Sequence, residues 1–145
     1  MIACPAGQEL ALACERRLGR VVEVAVVFYV RQVISPGGRL KPARRMRVVL
    51  ALAPEAIYLS EFSYWLCGMR IGAVLSYLPR EGLVARFRRR WWAWPSEWMA
   101  ELCWPESGLL IAGELADGED FQRLAGLLAA DEFAHELSRP ARRRA

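Results

Sequence analysis

The sequence holds one histidine, one lysine and four widely spaced cysteines. With His135 alone, near the end of the chain, no histidine ligand set can be assembled. General acid–base work would fall on Asp, Glu or Tyr residues, and no spacing pairs them. Cys4, Cys14, Cys67 and Cys103 form no Cys-x-x-Cys and have no accompanying His pair, so zinc and dithiol motifs are absent. Reduced thiols in a cytoplasmic protein are the expectation. Long apolar runs are lacking too. The longest, around Val21–Val30, is interrupted by Glu23 and followed by Arg31, short of the roughly 20 residues that span a bilayer. The first 20 residues carry Glu9, Glu15, Arg16 and Arg17 where a secretory leader would have a basic start and an apolar stretch. No nucleophile elbow or Gly-rich phosphate loop occurs, and Gly37-Gly38 reads as a turn. These absences predict a protein that is not an enzyme and needs neither cofactor nor metal.

What is present suits one core. The chain has 145 residues, 54% of them apolar, too apolar for disorder and long enough for a single domain. A domain over residues 1–138 is expected, followed by a disordered basic tail over 139–145.

The net charge of +4 is carried by that tail, through Arg139, Arg142, Arg143 and Arg144. The rest is neutral but divided. Residues 1–96 hold 15 basic and 6 acidic side chains, and residues 97–138 hold 1 basic and 10 acidic. If the two segments occupy different sides of the fold, the molecule is dipolar, which orients and speeds encounters with partners. Nineteen of the 20 basic residues are Arg; with abundant Ala and Gly this resembles a GC-rich bacterial coding bias.

Leu10, Cys14 and Leu18 recur at helical spacing, with Gly19 as a stop, predicting a helix over Gln8–Leu18. Val21–Ile34 reads as a long strand with Val22, Val24, Val26, Phe28 and Val30 on one face, broken by Ser35-Pro36-Gly37-Gly38. Short apolar runs follow. Arg47–Ala53 and Ala56–Phe62 form a hairpin about Pro54-Glu55, and Ser63–Gly68 reads as a connection. Ile71–Leu78, Leu83–Arg90, Trp98–Trp104 and Leu109–Leu115 are separated by Pro/Gly-rich turns. From Glu119 the period becomes helical. Phe121, Leu124, Ala125, Leu128, Phe133 and Leu137 share one side, with acidic residues at the start where they complement the helix dipole.

Seven antiparallel strands between a short first helix and a long amphipathic last one predict a mainly β fold with added α. It is a half-open barrel or sandwich (strands over residues 21–115) capped by the helix over residues 119–137. This pattern resembles the pleckstrin-homology-like (PH-like) superfold in its small actinobacterial form. The resemblance rests on Val48-Val49-Leu50-Ala51-Leu52-Ala53-Pro54-Glu55-Ala56-Ile57-Tyr58-Leu59 and Tyr77-Leu78-Pro79-Arg80. It continues in Leu102-Cys103-Trp104-Pro105 and Phe121-Gln122-Arg123-Leu124-Ala125-Gly126-Leu127-Leu128. It covers about Gly19–Leu137 and speaks to fold; such folds host many roles.

Two clusters are candidate binding residues. Arg39, Lys41, Arg44, Arg45 and Arg47 lie between the first two strands. Phosphoinositide-binding members of the family carry a Lys-x(n)-Arg-x-Arg pattern there, onto which Lys41, Arg45 and Arg47 can be laid. Converging guanidinium and ammonium donors grip phosphate or carboxylate oxygens; the plain alternative is a solvated loop. The second cluster, Arg86, Arg88, Arg89 and Arg90 running into Trp91, Trp92 and Trp94, combines the residue types that anchor protein interfaces and grip single-stranded nucleic acid. Its plain alternative is Arg stems stacked on Trp rings across an ordinary sheet face. Glu132-Phe133-Ala134-His135 has the spacing of a carboxylate-bridged metal site, but such sites need two copies.

The function expected is a non-catalytic binding or scaffolding domain that engages a protein partner through a basic, Trp-rich face. Association with an anionic membrane surface through Arg39–Arg47 is the first alternative and single-stranded nucleic-acid binding the second. A homodimer through a sheet edge or Trp91–Trp98 is a further possibility.

Overall fold

Alternating β-branched and aromatic residues make Val24–Ile34 the spine of the structure (β1), with Val24, Val26, Phe28 and Val30 buried on one side. The computed structural model describes residues 7–37, 45–65, 68–90 and 97–138; for residues 7, 8, 64, 65, 90 and 130–134 it describes the backbone alone. Six more strands follow β1: Arg47–Leu52 (β2), Ala56–Trp65 (β3), Gly68–Pro79 (β4), Val84–Arg90 (β5), Glu97–Trp104 (β6) and Leu109–Ala116 (β7). All pair antiparallel in one sheet of order β4-β3-β2-β1-β7-β6-β5, which does not close. Two helices complete the described elements, Gly7–Leu18 (α1) and Glu119–Ser138 (α2). The molecule is mainly β.

The sheet is apolar on both faces of its first half. The inner face of β1, β2 and β3 gives Val48, Leu50, Leu52, Ile57 and Leu59 to the main core, with Phe87, Trp98, Leu102, Trp104 and Ile111 from the other half. On the outer face, Ala25, Val49, Ala51, Ala56 and Tyr58 form a second cluster with Leu10 and Cys14 of α1. Coverage on both sides is why β2 reads as an unbroken apolar run instead of an alternation. Leu10 and Cys14 sit one helical turn apart, and Leu10 is only 2% exposed; burying a Leu side chain is worth about 2 kcal/mol.

The end of α1 sets the entry to β1. The Gly19 N–H donates to the Glu15 carbonyl (2.8 Å), and the Glu15 carboxylate accepts from the Val22 N–H (3.0 Å). This hold breaks the expected alternation. Val22 does not share the inner face with Val24; it packs with Leu10 and Cys14 on the outer side. The connection expected over Ser63–Gly68 is also mostly strand. Tyr64 and Trp65 are strong β formers and pair with Met69 and Gly68, so the β3–β4 hairpin is longer than the sequence suggests.

β7 approaches β1 closely at Gly113, where a Cβ would lie 2.3 Å from the Tyr29 carbonyl oxygen and 2.5 Å from Cζ of Phe28. The missing side chain makes room for the Phe28 ring. The edge strand β4 is tied at its end to β6 in the other half of the sheet by Trp104, whose indole N–H donates to the Pro79 carbonyl (2.7 Å).

Helix α2 packs against β5 and β1. Phe121, Leu124 and Ala125 are fully buried, and Leu128 and Ala129 are partly buried against the same core. Leu137, expected on that side, is 42% exposed. The helix kinks at Ala129 (φ −152°, ψ 56°), so the face begun by Phe121 is not continued beyond it. The Phe133 side chain and the tail 139–145 lie outside the described residues.

Candidate functional site

Beyond β2 the β3–β4 ribbon runs on alone. The last β2–β3 pair is Val48 with Glu61, while Phe62, Ser63, Tyr64 and Trp65 pair only with β4. The ribbon and the start of β2 enclose a cleft of about 510 Å³ lined by Met46, Arg47, Glu61, Phe62, Ser63, Arg70 and Gly72. That size admits a peptide segment or a small molecule.

Local structure explains each side chain's place. Arg45 holds a left-handed conformation (φ 67°), the one non-glycine residue with positive φ among those described. Its N–H donates to the Val30 carbonyl (2.8 Å), while the Val30 N–H donates to Met46 (2.9 Å). This clasp turns the chain into β2 and sets Arg47 opposite Tyr29. Arg70 stands opposite Ser63, and register shifts between Leu59 and Phe62 separate this outer part of the ribbon from its regular base. Within that irregular stretch the Glu61 side chain lies over Gly72, where a Cβ would come within 2.9 Å of the Glu61 Cβ. Glycine there is what lets the carboxylate fold into the cleft.

The cleft's charges are not spent on each other. The ion pairs among the described residues are Arg20–Glu55, Arg31–Glu114 and Arg80–Glu23; none involves Arg45, Arg47, Arg70 or Glu61. Of the first expected cluster, then, Arg47 lines the cleft, and Arg45 is exposed and precedes the lining residue Met46 in the chain. Arg39, Lys41 and Arg44 lie outside the described residues. Arg70 and Glu61 were not foreseen. Gly68 and Gly72, flanking Arg70, were the available signal of an irregular ribbon at this point.

The second cluster is divided by the pleat. Arg86 and Arg88 are exposed on the outer face of β5, and Phe87 is buried in the core. Arg89 turns to the inner side, its guanidinium 4.9 Å from the centre of the Trp98 ring; its Nε is buried without a hydrogen-bond partner among the described residues. Arg89 thus stacks on a Trp from β6. Of Arg90 only the backbone is described, and Trp91, Trp92 and Trp94 lie outside the described residues.

Antiparallel pairing also mixes the charges that the sequence keeps apart. Arg86 lies opposite Glu101 and Arg90 opposite Glu97. Arg31 donates to both carboxylate oxygens of Glu114 (3.0 and 3.2 Å). Arg80, in the motif Tyr77-Leu78-Pro79-Arg80, is a structural tie: its Nη1 donates to the Glu23 carboxylate and to the carbonyls of Ala53 and Pro54.

Cys14 is buried and its thiol is pushed up to about 12 by loss of solvent; Cys103 is half-buried, and Cys4 and Cys67 lie outside the described residues. His135 is exposed near the end of α2. Among the described residues no three His, Cys, Asp or Glu side chains gather as for a metal ion, and no helix is long and apolar enough to cross a membrane. No family model, curated protein or solved structure matches the chain.

Proposed function

We propose that this chain is a non-catalytic binding domain of PH-like fold that takes an acidic segment of a protein partner in the cleft beside the β3–β4 ribbon. The strand order β4-β3-β2-β1-β7-β6-β5 and the packing of α2 against β5 support the fold assignment; in it α2 covers the open end of the core. The observation that carries the function is that Arg47 and Arg70 share one cleft, and neither makes an ion pair among the described residues.

Glu61 favours a peptide over a densely anionic surface. A carboxylate inside the cleft repels closely spaced phosphates, whereas an acidic peptide alternates carboxylates with backbone N–H donors that Glu61 can accept. Arg offers paired N–H donors to the peptide's carboxylates. The Arg86 and Arg88 side chains on β5 provide a second basic margin, moderated by Glu101.

The test is fluorescence anisotropy of the full chain with a labelled Glu-rich peptide, run beside vesicles containing phosphatidylserine and beside single-stranded oligothymidine. The reading expects binding of the peptide that weakens with salt, because exposed charges are screened over about 8 Å at physiological ionic strength. Arg47→Glu and Arg70→Glu should each weaken it by tenfold or more. Preferential binding of vesicles, or of oligothymidine, would replace this reading with the membrane or the nucleic-acid one.

A further inference from the structure

Charge alternates across the three strands that flank the cleft. Arg47 lies on β2, Glu61 on β3 and Arg70 on β4, and β3 is the middle strand of the three. Glu61 pairs with Val48, the neighbour of Arg47 in the chain, and Arg70 pairs with Ser63, two residues beyond Glu61. Strands about 4.8 Å apart therefore set the two arginine backbones roughly 10 Å from each other, with the glutamate backbone between them. All three side chains are exposed and line the one cleft.

The glutamate is laid against the β4 backbone. A Cβ at Gly72 would come within 2.8 Å of the Glu61 Oε2 and 2.9 Å of its Cβ. Both ends of the side chain thus rest on the place a larger residue would fill. Gly72 is not among the glycines with positive φ, so its missing side chain serves this close approach and not a left-handed turn. Glu61 nevertheless makes no ion pair with Arg47 or Arg70. The cleft holds a carboxylate apart from both of its guanidinium groups.

We infer that Glu61 sets the specificity of the cleft by taking a cation, so that the preferred segment has a Lys or Arg between two acidic residues and is not a uniformly acidic run. This narrows the acidic-segment reading above and rests on it. The complement of Arg47, Glu61 and Arg70 is negative, positive, negative. An extended chain advances about 3.3–3.6 Å per residue, so acidic residues three apart match the separation of the arginines, and a residue between them meets Glu61. A third carboxylate there faces a like charge, whereas an ammonium meets its counter-charge. The preference is local: at physiological ionic strength exposed charges are screened over about 8 Å, so basic side chains elsewhere on the chain count for less than Glu61 at contact.

The test is fluorescence anisotropy of the full chain at physiological salt with three labelled peptides. Each carries Glu-X-Gly-Glu between Gly-Ser flanks, and X is Lys, Gln or Glu. Affinity should fall in that order, by about two- to threefold per step, the scale of an exposed ion pair. Glu61→Gln should abolish the preference for Lys and make the peptide with X as Glu the tightest, because only the arginines then act. Gly72→Ala keeps the charge but displaces the side chain, and should shrink the preference for Lys. Equal affinities, an order led by the peptide with X as Glu in the unsubstituted chain, or an order unchanged by Glu61→Gln would overturn this inference and leave the acidic-segment reading standing. Failure of all three peptides to bind would overturn that reading, and this inference with it.

Discussion

The indole N–H of Trp98, at the start of β6, donates to the carboxylate of Asp117, just before α2, across 3.1 Å. Trp98 is wholly buried, and its ring lies 4.8 Å from that of Phe121 in the first turn of α2. Phe121 in turn meets Phe87 of β5 edge-on at 5.4 Å. One side chain therefore joins β5, β6 and α2 by both apolar packing and a polar tie. Trp98→Phe, which keeps a ring and loses the donor, should cost about 1–2 kcal/mol in urea unfolding. Trp98→Ala should cost about 3–5 kcal/mol, because a cavity is left as well. Equal costs for the two would show that the hydrogen bond, and not the packing, dominates.

Arg80 gathers the start of β1, the β2–β3 turn and the end of β4 through one guanidinium nitrogen. Arg80→Ala should lower stability by about 1.5–3 kcal/mol, the range for hydrogen bonds to charged groups. Arg80→Lys should recover only part of this, because an ammonium cannot reproduce the planar fork. Chemical denaturation of the three proteins checks both statements.

Gly113 should tolerate no side chain. In Gly113→Ala the new methyl meets backbone at 2.3 Å and the Phe28 ring at 2.5 Å. The backbone cannot yield without parting β1 from β7, so a loss of about 4 kcal/mol or more, or failure to fold, is expected. A combined Phe28→Leu, Gly113→Ala chain should recover little, since the carbonyl clash remains. Circular dichroism and thermal unfolding distinguish these outcomes.

Cys14 should be inert toward thiol reagents at pH 8 until the chain unfolds, because the reactive thiolate is suppressed with the pKa at about 12. The same shift makes folding pH-dependent. An unfolded thiol ionises near pH 9, so between pH 9 and 12 the folded state binds the extra proton. Its contribution is complete below pH 9 and falls by about 1.4 kcal/mol per unit above it. Cys14→Ala should flatten that part of the stability profile, measured by urea titration across pH.

Arg45 carries a left-handed backbone at a position with Cβ, a strain of about 1–2 kcal/mol. Arg45→Gly should raise the urea midpoint and weaken binding of the Glu-rich peptide. Opposite signs from one substitution would mark Arg45 as kept for its side chain rather than for the fold.

The strands were legible as short apolar runs bounded by Pro and Gly, several of them with a two-residue period, and all seven occur at those runs. The pattern failed where a long-range contact outweighs local periodicity. Val22 is drawn to the outer cluster by the Glu15–Val22 bond, Tyr64 and Trp65 are recruited into a ribbon, and Leu137 is freed by the kink at Ala129. The site was only half legible for a related reason. Arg45 and Arg47 belong to a visible run of basic residues, but Arg70 and Glu61 join them only through pairing across β3 and β4. The division of charge along the chain likewise says little about surfaces, because an antiparallel sheet sets a basic strand beside an acidic one.

β1 takes its place between β2 and β7, and the Arg31–Glu114 pair on that seam spans 83 residues of chain. During synthesis at roughly 5–20 residues per second, Arg31 would precede Glu114 by about 4–17 s. Throughout that interval one flank of the most apolar strand has no neighbour to receive it. Nascent copies on a crowded polysome therefore face their greatest danger of misassembly there, and a chaperone that holds β1 until β7 emerges should raise the yield of native protein more than one acting after release.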